Sequence, residues 1–494
     1  MLPFNPGGHA AYQDFLVAEL HKYYPSPDSI PRDAWEVMER FYLLDLSRVD
    51  LDMQDRYSVF GPRPRLPSSM LRSILLALEF GVTSYTKWAG QLKLNPLYCI
   101  LSGFEFGDTP GVGTFYDFLS RLWMAEENNL ASSHLRKPKS SAKKPDKKGE
   151  KAMPVDKLTV DGLLKQLQLE PPTDVQPYSR LFHLFKHVFL DQSIQKGLVT
   201  PDDLAIAGDG TPVVTSARER KKRTCSCKES EIKACDCERW FSQPDCDVGW
   251  DSSRERFYHG YNFYMLTAAN SENDLPLFPL LAPASRHDSI GFLHAWFTMG
   301  AFLPEFAAKK LLLDSAHDAM PIYEYCRKER IAPFIDLNDK RGAKIKYKED
   351  FTIGTDGIPV CKAGLKMRRD GVERAKYRAK FRCPLASRKH GCSCETPCSD
   401  SKSGRTVHLA IKDNPRIVNI PPRGSEEWKL EYNARTSAER VNKRQKIDFL
   451  LENGRHRSSK MWYCRLYGIM MLQHLNAWDL PYDSELRKRL SQAA

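Results

Sequence analysis

The chain has 494 residues, of which 41% are hydrophobic and 28% charged, and its formal net charge is +12. The length predicts two or three domains, and the apolar content excludes a chain too polar to form a core. The positive charge favours polyanionic partners but carries no information about the fold. The first residues lack a secretory signal pattern, and no apolar run approaches the roughly 18 residues of a membrane-spanning helix. We therefore expect a cytoplasmic protein without a membrane segment.

Residues 1–130 predict a helical domain, because apolar residues recur at three- and four-residue spacing in 33–44 and 68–80. Residues 131–154 predict a flexible linker. Within it, 134–151 carries eight basic and two acidic residues and almost no apolar ones. Such a segment could follow DNA phosphates, or it could be only a solvated spacer. A helical connector is predicted for 155–200.

From residue 201 onward the pattern changes to apolar strands interleaved with helices, which predicts a mixed α/β sheet flanked by helices. The chain is predicted to be helical again from residue 437. The predicted strands are 204–214, 257–269, 275–284, a segment beginning at 309, and 331–338; the predicted helices are 289–302 and 321–330.

Two of these strands carry an aspartate where the apolar run stops. Asp209 lies between Gly208 and Gly210, and Asp314 follows three leucines. A carboxylate at the end of a buried strand is costly unless its charge is compensated, and Mg²⁺ bound by a few carboxylates, waters and phosphate oxygens compensates it well. Two such ions support in-line phosphoryl transfer. Either aspartate taken alone could equally cap a turn.

A third group of residues has the spacing Y-x2-R-x3-E-x6-K, formed by Tyr432, Arg435, Glu439 and Lys446. On one helix, Arg435, Glu439 and Lys446 would share a face, because steps of four and seven are close to whole turns. That face could offer a metal ligand beside two phosphate-binding cations. A solvated helix face with salt bridges has the same spacing.

These four residues resemble the YREK signature of the DDE transposases of bacterial insertion sequences. The resemblance extends to Asp209 in AIAGDGTPV, to Asp314 in LLLDSAHDA, and to the segments GYNFYMLTA and ASRHDS between them. It also includes RLPSSMLRSILLAL and TPGVGTFYDFLSRLW in the N-terminal part, and so covers nearly the whole chain.

The resemblance implies an RNase H-like catalytic domain at 201–480, with insertions at about 219–250 and 340–405, a tail at 481–494, and an N-terminal domain that binds DNA or supports assembly. It implies that Asp209, Asp314 and Glu439 hold two Mg²⁺ or Mn²⁺ ions, and that Tyr432, Arg435 and Lys446 grip DNA. The implied reaction is cleavage at the element's ends, followed by attack of the freed 3′-OH on target DNA. The partners implied are double-stranded terminal repeats, target DNA, and further copies of the chain in a homodimer or larger assembly. We expect no ATP requirement, because no P-loop motif is present, and a location in the bacterial cytoplasm with the nucleoid.

Thirteen cysteines are unevenly placed, and clustered cysteines in an intracellular chain favour metal binding over disulfides. Each cluster could bind a structural Zn²⁺ through four thiolates, or its members could be free thiols in loop insertions. The candidate ligands are Cys225, Cys227, Cys235 and Cys237 in the first cluster and Cys383, Cys392, Cys394 and Cys398 in the second, where His390 is nearby. Core positions are expected for Cys99, Cys326 and Cys464.

Two other functions remain open at this point. The chain could be a domesticated regulator that binds DNA without cutting it, although the intact set of three acids argues against that. It could also be a zinc-dependent nucleic-acid-binding module in which the acids are incidental. Several residues are weaker candidates for chemistry or DNA stacking than those above: His317, Asp318, Asp336, Asp339, Trp240 and Trp250.

Overall fold

The computed structural model describes residues 8–58, 60–130, 159–217, 229–231, 243, 245–338, 345–348, 351–387, 391–395, 397–401, 404–454 and 456–492. The predicted linker 131–154 and the cysteines of the first cluster lie outside the described residues. Among the helices within these ranges, none combines the length and apolar character needed to cross a lipid bilayer.

The N-terminal part is helical, as its periodicity predicts. Local capping explains two of the boundaries. The side chain of Ser84 accepts from the backbone N–H of Lys87 at the start of the helix Tyr85–Leu94, and the helix Pro96–Ser102 ends at Gly103, which has a φ of 86°. Its helices are α1 (Gly8–Tyr23), α2 (Trp35–Leu43), α3 (Ser47–Asp52), α4 (Pro67–Glu79), α5 (Tyr85–Leu94), α6 (Pro96–Ser102) and α7 (Val112–Leu122).

Three short helices lead to the sheet, and a π-helical turn at Lys186–Leu190 joins the last two of them. They are α8 (Val160–Leu169), α9 (Ser179–Phe185) and α10 (Asp191–Gln195). One continuous hydrophobic cluster runs from the N-terminal helices through this connector to the sheet. The helices and the sheet therefore share a core.

The main sheet is mixed and has six strands. They are β1 (Leu204–Val214), β2 (Asp247–Asp251), β3 (Arg256–Ala268), β4 (Leu275–Pro283), β5 (Ala308–Leu313) and β6 (Ala332–Ile335). β3 pairs antiparallel with β1 on one side and with β4 and β2 on the other, whereas β1, β5 and β6 are parallel. The predicted mixed α/β sheet is confirmed, while β2 was not predicted.

Helices cover both faces of this sheet. α11 packs on one face, against β3, β4 and β1, and α14 packs on the other, against β1 and β3. α15 joins the sheet to the N-terminal helices. The helices are α11 (Asp288–Phe302), α12 (Met320–Lys328), α13 (Glu426–Asn433), α14 (Thr436–Lys443), α15 (Ser459–Ala477) and α16 (Glu485–Gln492).

Between the sheet and α13 the chain forms three small sheets of β7 (Ile345–Lys348), β8 (Phe351–Ile353), β9 (Pro359–Cys361), β10 (Arg368–Glu373), β11 (Arg378–Arg382), β12 (Ala386–Ser387), β13 (Gly391–Cys392) and β14 (Thr406–Ala410). We call this region the small-sheet subdomain. It has a hydrophobic cluster separate from the main core, which includes Phe381 and Leu409. A buried ion pair between Arg416 and Asp318, with an N–O distance of 2.6 Å, attaches it to the main sheet.

Candidate active site

Two parallel strands bring Asp209 and Asp314 to the same level of the sheet. In the register of β1 and β5, Ala207 lies beside Leu312. Asp314 continues β5 in an extended conformation, so the same register places it beside Asp209. Side chains alternate between the faces of a strand, and both aspartates therefore share the face of Ala207 and Leu312.

Asp209 lies in the middle of β1, whose bounds match the predicted strand 204–214, and it ends only the apolar half of that strand. β1 continues for five residues beyond it, to Val214. The extension is stable because β3 is long enough to pair with all of it, as far as Gly260 opposite Val214. Asp314, by contrast, directly follows the last residue of β5, as expected.

Helix α14 lies on the face that carries the two aspartates. Its Ala438 belongs to a small hydrophobic cluster with Ala207 and Leu312. One turn later, Asn442 donates from Nδ2 to Oδ2 of Asp209 over 3.0 Å. Glu439 lies within one turn of Asn442, at the edge of the helix face that packs on the sheet, and its side chain is 50% exposed.

Arg435 links Glu439 to the aspartates electrostatically. Its Nη2 lies 2.7 Å from Oε1 of Glu439. Burial opposes the charged guanidinium, but the pKa of Arg435 is raised because Tyr432, Glu439 and Asp209 together outweigh that burial. The three acids therefore act on, or pair with, one shared cation.

Asp209 lies in a strongly negative environment. Burial, followed by the charges of Asp288 and Asp314, raises the pKa of Asp209 to about 6, although the hydrogen bond from Asn442 opposes the change. A protein interior stabilises a buried carboxylate poorly without a nearby cation. This position is therefore suited to a positively charged ligand.

A hydrogen-bonded pair orients Asp314. Nδ1 of the buried His317 lies 2.6 Å from Oδ1 of Asp314, and Nε2 lies 2.8 Å from the hydroxyl of Tyr264. Burial favours the neutral acid, but the pKa of Asp314 is lowered because the hydrogen bond and charge of His317, the N–H of Ala316 and the charge of Arg435 outweigh it.

Glycines beside Asp209 leave room for groups on the opposite face of the sheet. A Cβ at Gly210 would overlap Oδ1 of Asp288, and one at Gly208 would lie 2.5 Å from the hydroxyl of Tyr264. Asp288 begins α11 and accepts a hydrogen bond of 2.7 Å from Nδ2 of Asn262. The glycines thus admit a fourth carboxylate close to Asp209.

The four signature residues do not lie on one continuous helix. Tyr432 lies in α13, Arg435 in the junction before α14, Glu439 in α14, and Lys446 in a π-helical turn at Arg444–Asp448. Lys446 donates to the carbonyl of Pro212 over 2.7 Å, beyond Asp209 along β1. The break between α13 and α14 and the π turn spread the signature over several elements, which regular helical spacing did not predict.

Tyr432 stacks on Trp428 with the ring centroids 4.8 Å apart and an interplanar angle of 16°. Its other neighbour is Arg435, whose guanidinium carbon lies 5.6 Å from the tyrosine ring centroid. This stack holds Arg435 beside the acids. The assignment of Tyr432, Arg435 and Lys446 to DNA binding stays a prediction.

Oxygen ligands of this kind fit Mg²⁺, which is usually held by one or two protein carboxylates together with waters and substrate phosphates. Burial, together with the repulsion from Asp288 and Asp314, raises the pKa of Asp209, and a divalent cation would stabilise the charged carboxylate against both. Within the described parts of the chain, no three His, Cys, Asp or Glu side chains are gathered as a complete metal site. Asp209 and Asp314 are the ligands best placed, whereas Glu439 is paired with Arg435.

The second cysteine cluster is described only in part. Cys383 is buried, Cys394 and Cys398 are partly exposed, and the backbone of Cys392 pairs with Ala386. Structural zinc at either cluster stays a prediction. The core positions of Cys99, Cys326 and Cys464 are confirmed, and burial raises the pKa of each thiol to about 12.

Three of the weaker candidates for chemistry or DNA stacking lie within the described residues in addition to His317. Asp318 lies before α12, and both of its oxygens accept hydrogen bonds from Arg416. Asp336 is exposed. Trp250 is 54% exposed and packs edge-on against Phe257. Asp339, Trp240 and His390 lie outside the described residues.

The chain matches no protein-family model, and no curated protein matches it either. The site therefore has to be interpreted from its own geometry.

Asp288, His317 and Asn442 belong to this site; from the sequence, only His317 was considered, as a weaker candidate. The glycines on either side of Asp209 were one available signal, because paired glycines in a strand often mark a close approach of other groups. The three-residue spacing of Asp314 and His317 was a second signal. Asn442 had none, because its partner lies 233 residues away.

Proposed function

We propose that this chain is a DDE-type DNA transposase with an RNase H-like catalytic domain. The observation that supports the proposal is the pair of Asp209 and Asp314 side by side on one face of the sheet, with Arg435 acting on both and paired with Glu439. The strand order supports it. If the additional strand β2 is set aside, Asp209 lies on the first strand and Asp314 follows the fourth, as the resemblance to transposases implies.

In this proposal Asp209 and Asp314 hold divalent metal, and Glu439 joins them on release from Arg435. The ions, when bound, would activate a water or 3′-OH and stabilise the leaving oxygen. Asn442 fixes one oxygen of Asp209 and His317 fixes one oxygen of Asp314, so both carboxylates are oriented before DNA binds. Once free of Glu439, Arg435 would contact a DNA phosphate.

The substrates proposed are double-stranded terminal repeats and target DNA, and two ends processed together require a homodimer or larger assembly. The net charge of +12 supports binding to DNA of any sequence. The alternative, a regulator that binds DNA without cutting it, makes the opposite prediction for the experiment that follows.

The test is cleavage of labelled DNA carrying the element's terminal repeats, in Mg²⁺ or Mn²⁺. Asp209→Asn, Asp314→Asn and Glu439→Gln should each lower cutting by at least about 1,000-fold, because each removes a ligand charge, while DNA affinity stays within about threefold. Asp336→Asn is the matched control, since Asp336 is an exposed acid close enough to act on Tyr432. Cutting that survives Glu439→Gln would remove Glu439 from the active site. Binding without any cutting by the unmodified protein would favour the regulator.

A further inference from the structure

A cavity of about 690 Å³ lies between the main sheet and the small-sheet subdomain. The end of α12 and strand β6 form one side of it, and the turn between β10 and β11 and the segment after β14 form the other. Its volume is within the range of sites that bind small molecules and nucleotides. The cavity is separate from the acids described above.

The charge around this cavity has one sign. Five of the lining residues are cationic and none is acidic: Arg327, Lys328, Arg330, Lys376 and Lys412. Lys376 pairs with Glu373 over 3.1 Å, but Glu373 is also bound by Arg378. Among the residues that the structure describes, the other four cations have no carboxylate partner. Such a surface attracts an anion.

Aromatic side chains line the same cavity, among them Phe334, Tyr377 and Trp428. Tyr377 is 63% exposed and has a positive φ of 44°, which a residue with a bulky side chain rarely adopts. Its carbonyl accepts from the N–H of Ile411 over 3.1 Å, and this bond fixes the turn that carries it. The subdomain therefore presents a tyrosine ring to solvent at the rim.

The cavity lies next to the proposed active site through one aromatic stack. Trp428 lines the cavity and stacks on Tyr432, and the guanidinium of Arg435 lies over the ring of Tyr432. A DNA strand that contacts Arg435 would thus pass close to the cavity. Rings and cations in one groove are the combination that binds unpaired nucleic acid, because bases stack on the rings while phosphates meet the cations.

We propose that this cavity binds nucleotides of an unpaired DNA strand, with a base stacked on Tyr377 and phosphates bound by Lys328 and Lys412. The role of the strand rests on the proposed function, because cleavage of DNA ends supplies unpaired strands. The chemistry recognised is that of a planar base joined to a phosphate. A free nucleotide shares it, and the experiment separates the two sources.

The test measures binding by fluorescence anisotropy in EDTA, so that the result does not depend on cutting. The probes are a blunt duplex and the same duplex with an oligo(dT) tail of about six nucleotides. The tail should tighten binding by about tenfold. Tyr377→Ala and the double variant Lys328→Ser/Lys412→Ser should each remove most of that gain, with affinity for the blunt duplex within about twofold. Tyr377→Trp should keep it.

Matched controls come from residues that do not line the cavity. Tyr482 is fully exposed, and Lys196 and Lys93 are exposed lysines, so Tyr482→Ala and Lys196→Ser/Lys93→Ser should keep the whole gain. No gain from the tail, or a gain that persists in Tyr377→Ala, overturns the proposal. If dTMP binds as tightly as the tailed duplex, the cavity is a free-nucleotide site and its assignment to a DNA strand is wrong. None of these outcomes depends on whether the chain cuts DNA, so failure of the proposed function remains distinguishable.

Discussion

Asn442 donates a hydrogen bond to Asp209 over 3.0 Å and so joins α14 to the middle of β1. The two residues are 233 positions apart, and Glu439 lies one turn before Asn442. The bond has two consequences. It fixes one oxygen of Asp209, a buried carboxylate close to Asp288 and Asp314, and it sets the position of α14, which carries Glu439, along β1.

Replacing Asn442 with alanine should therefore lower DNA cutting by about 10- to 100-fold, the usual effect of losing a group that orients a metal ligand. Affinity for DNA should stay unchanged, because Asn442 is buried. Cleavage rates and anisotropy on the same DNA measure the two effects. Asn433→Ala, an exposed asparagine of α13, is the control. Equal rates for the two variants would show that Asn442 does not orient Asp209.

Gly210→Ala should destabilise the protein by about 1–3 kcal/mol, because the added Cβ overlaps the carboxylate of Asp288. Asp288 cannot easily move, since Asn262 holds it at the start of α11. The fall in Tm measures the effect. Gly113→Ala in α7 is the control, because there an added Cβ meets no described atom within 4 Å.

A second substitution separates this crowding from other causes. Gly210→Ala/Asp288→Ala should recover most of the lost Tm, because the overlapping carboxylate is gone. A double variant as unstable as Gly210→Ala alone would assign the loss to Oδ1 of Asn262, which lies 2.9 Å from the added Cβ.

Arg416→Ala should destabilise the protein by about 3–5 kcal/mol, because it leaves the fully buried carboxylate of Asp318 without its cation. Adding Asp318→Asn should recover part of the loss by removing the stranded charge. Thermal unfolding measures both variants. Arg378→Ala, which breaks the more exposed pair with Glu373, should leave the Tm almost unchanged. If Arg416→Ala and Arg378→Ala unfold at the same temperature, the buried pair does not hold the small-sheet subdomain to the main sheet.

Strands β1, β3 and β4 were predictable because each is a long apolar run whose burial decides its conformation. Strand β2, with the sequence DVGWD, was not. Only two of its five residues are buried, and it forms because β3 extends beyond β4 and offers unpaired backbone groups. Helix α13 was missed for a similar reason, since Trp428 is its one buried residue.

The candidate site was predictable only as far as its residues show local patterns. Asp209 and Asp314 stand out because each interrupts an apolar run. Their common level in the sheet depends on the register between β1 and β5, which no local pattern encodes. Lys446 was placed on the face of Glu439 because a regular helix was assumed, and the π-helical turn changes its direction.

His474 should make the stability of the core depend on pH. Burial lowers the pKa of His474 to about 4, and the hydrogen bond to the carbonyl of Pro276 offsets this only in part. The unfolded chain binds a proton near pH 6.5, so between about pH 6.5 and pH 4 it holds a proton that the folded protein lacks. The free energy of unfolding should thus fall as the pH falls through that window, by up to about 3 kcal/mol from this residue.

His474→Gln keeps a donor for Pro276 but cannot be charged, so its Tm should fall less between pH 7 and pH 5 than that of the unmodified protein. His21→Gln, in α1, should retain the original slope. Parallel Tm curves for His474→Gln and the unmodified protein would assign the acid sensitivity to other groups.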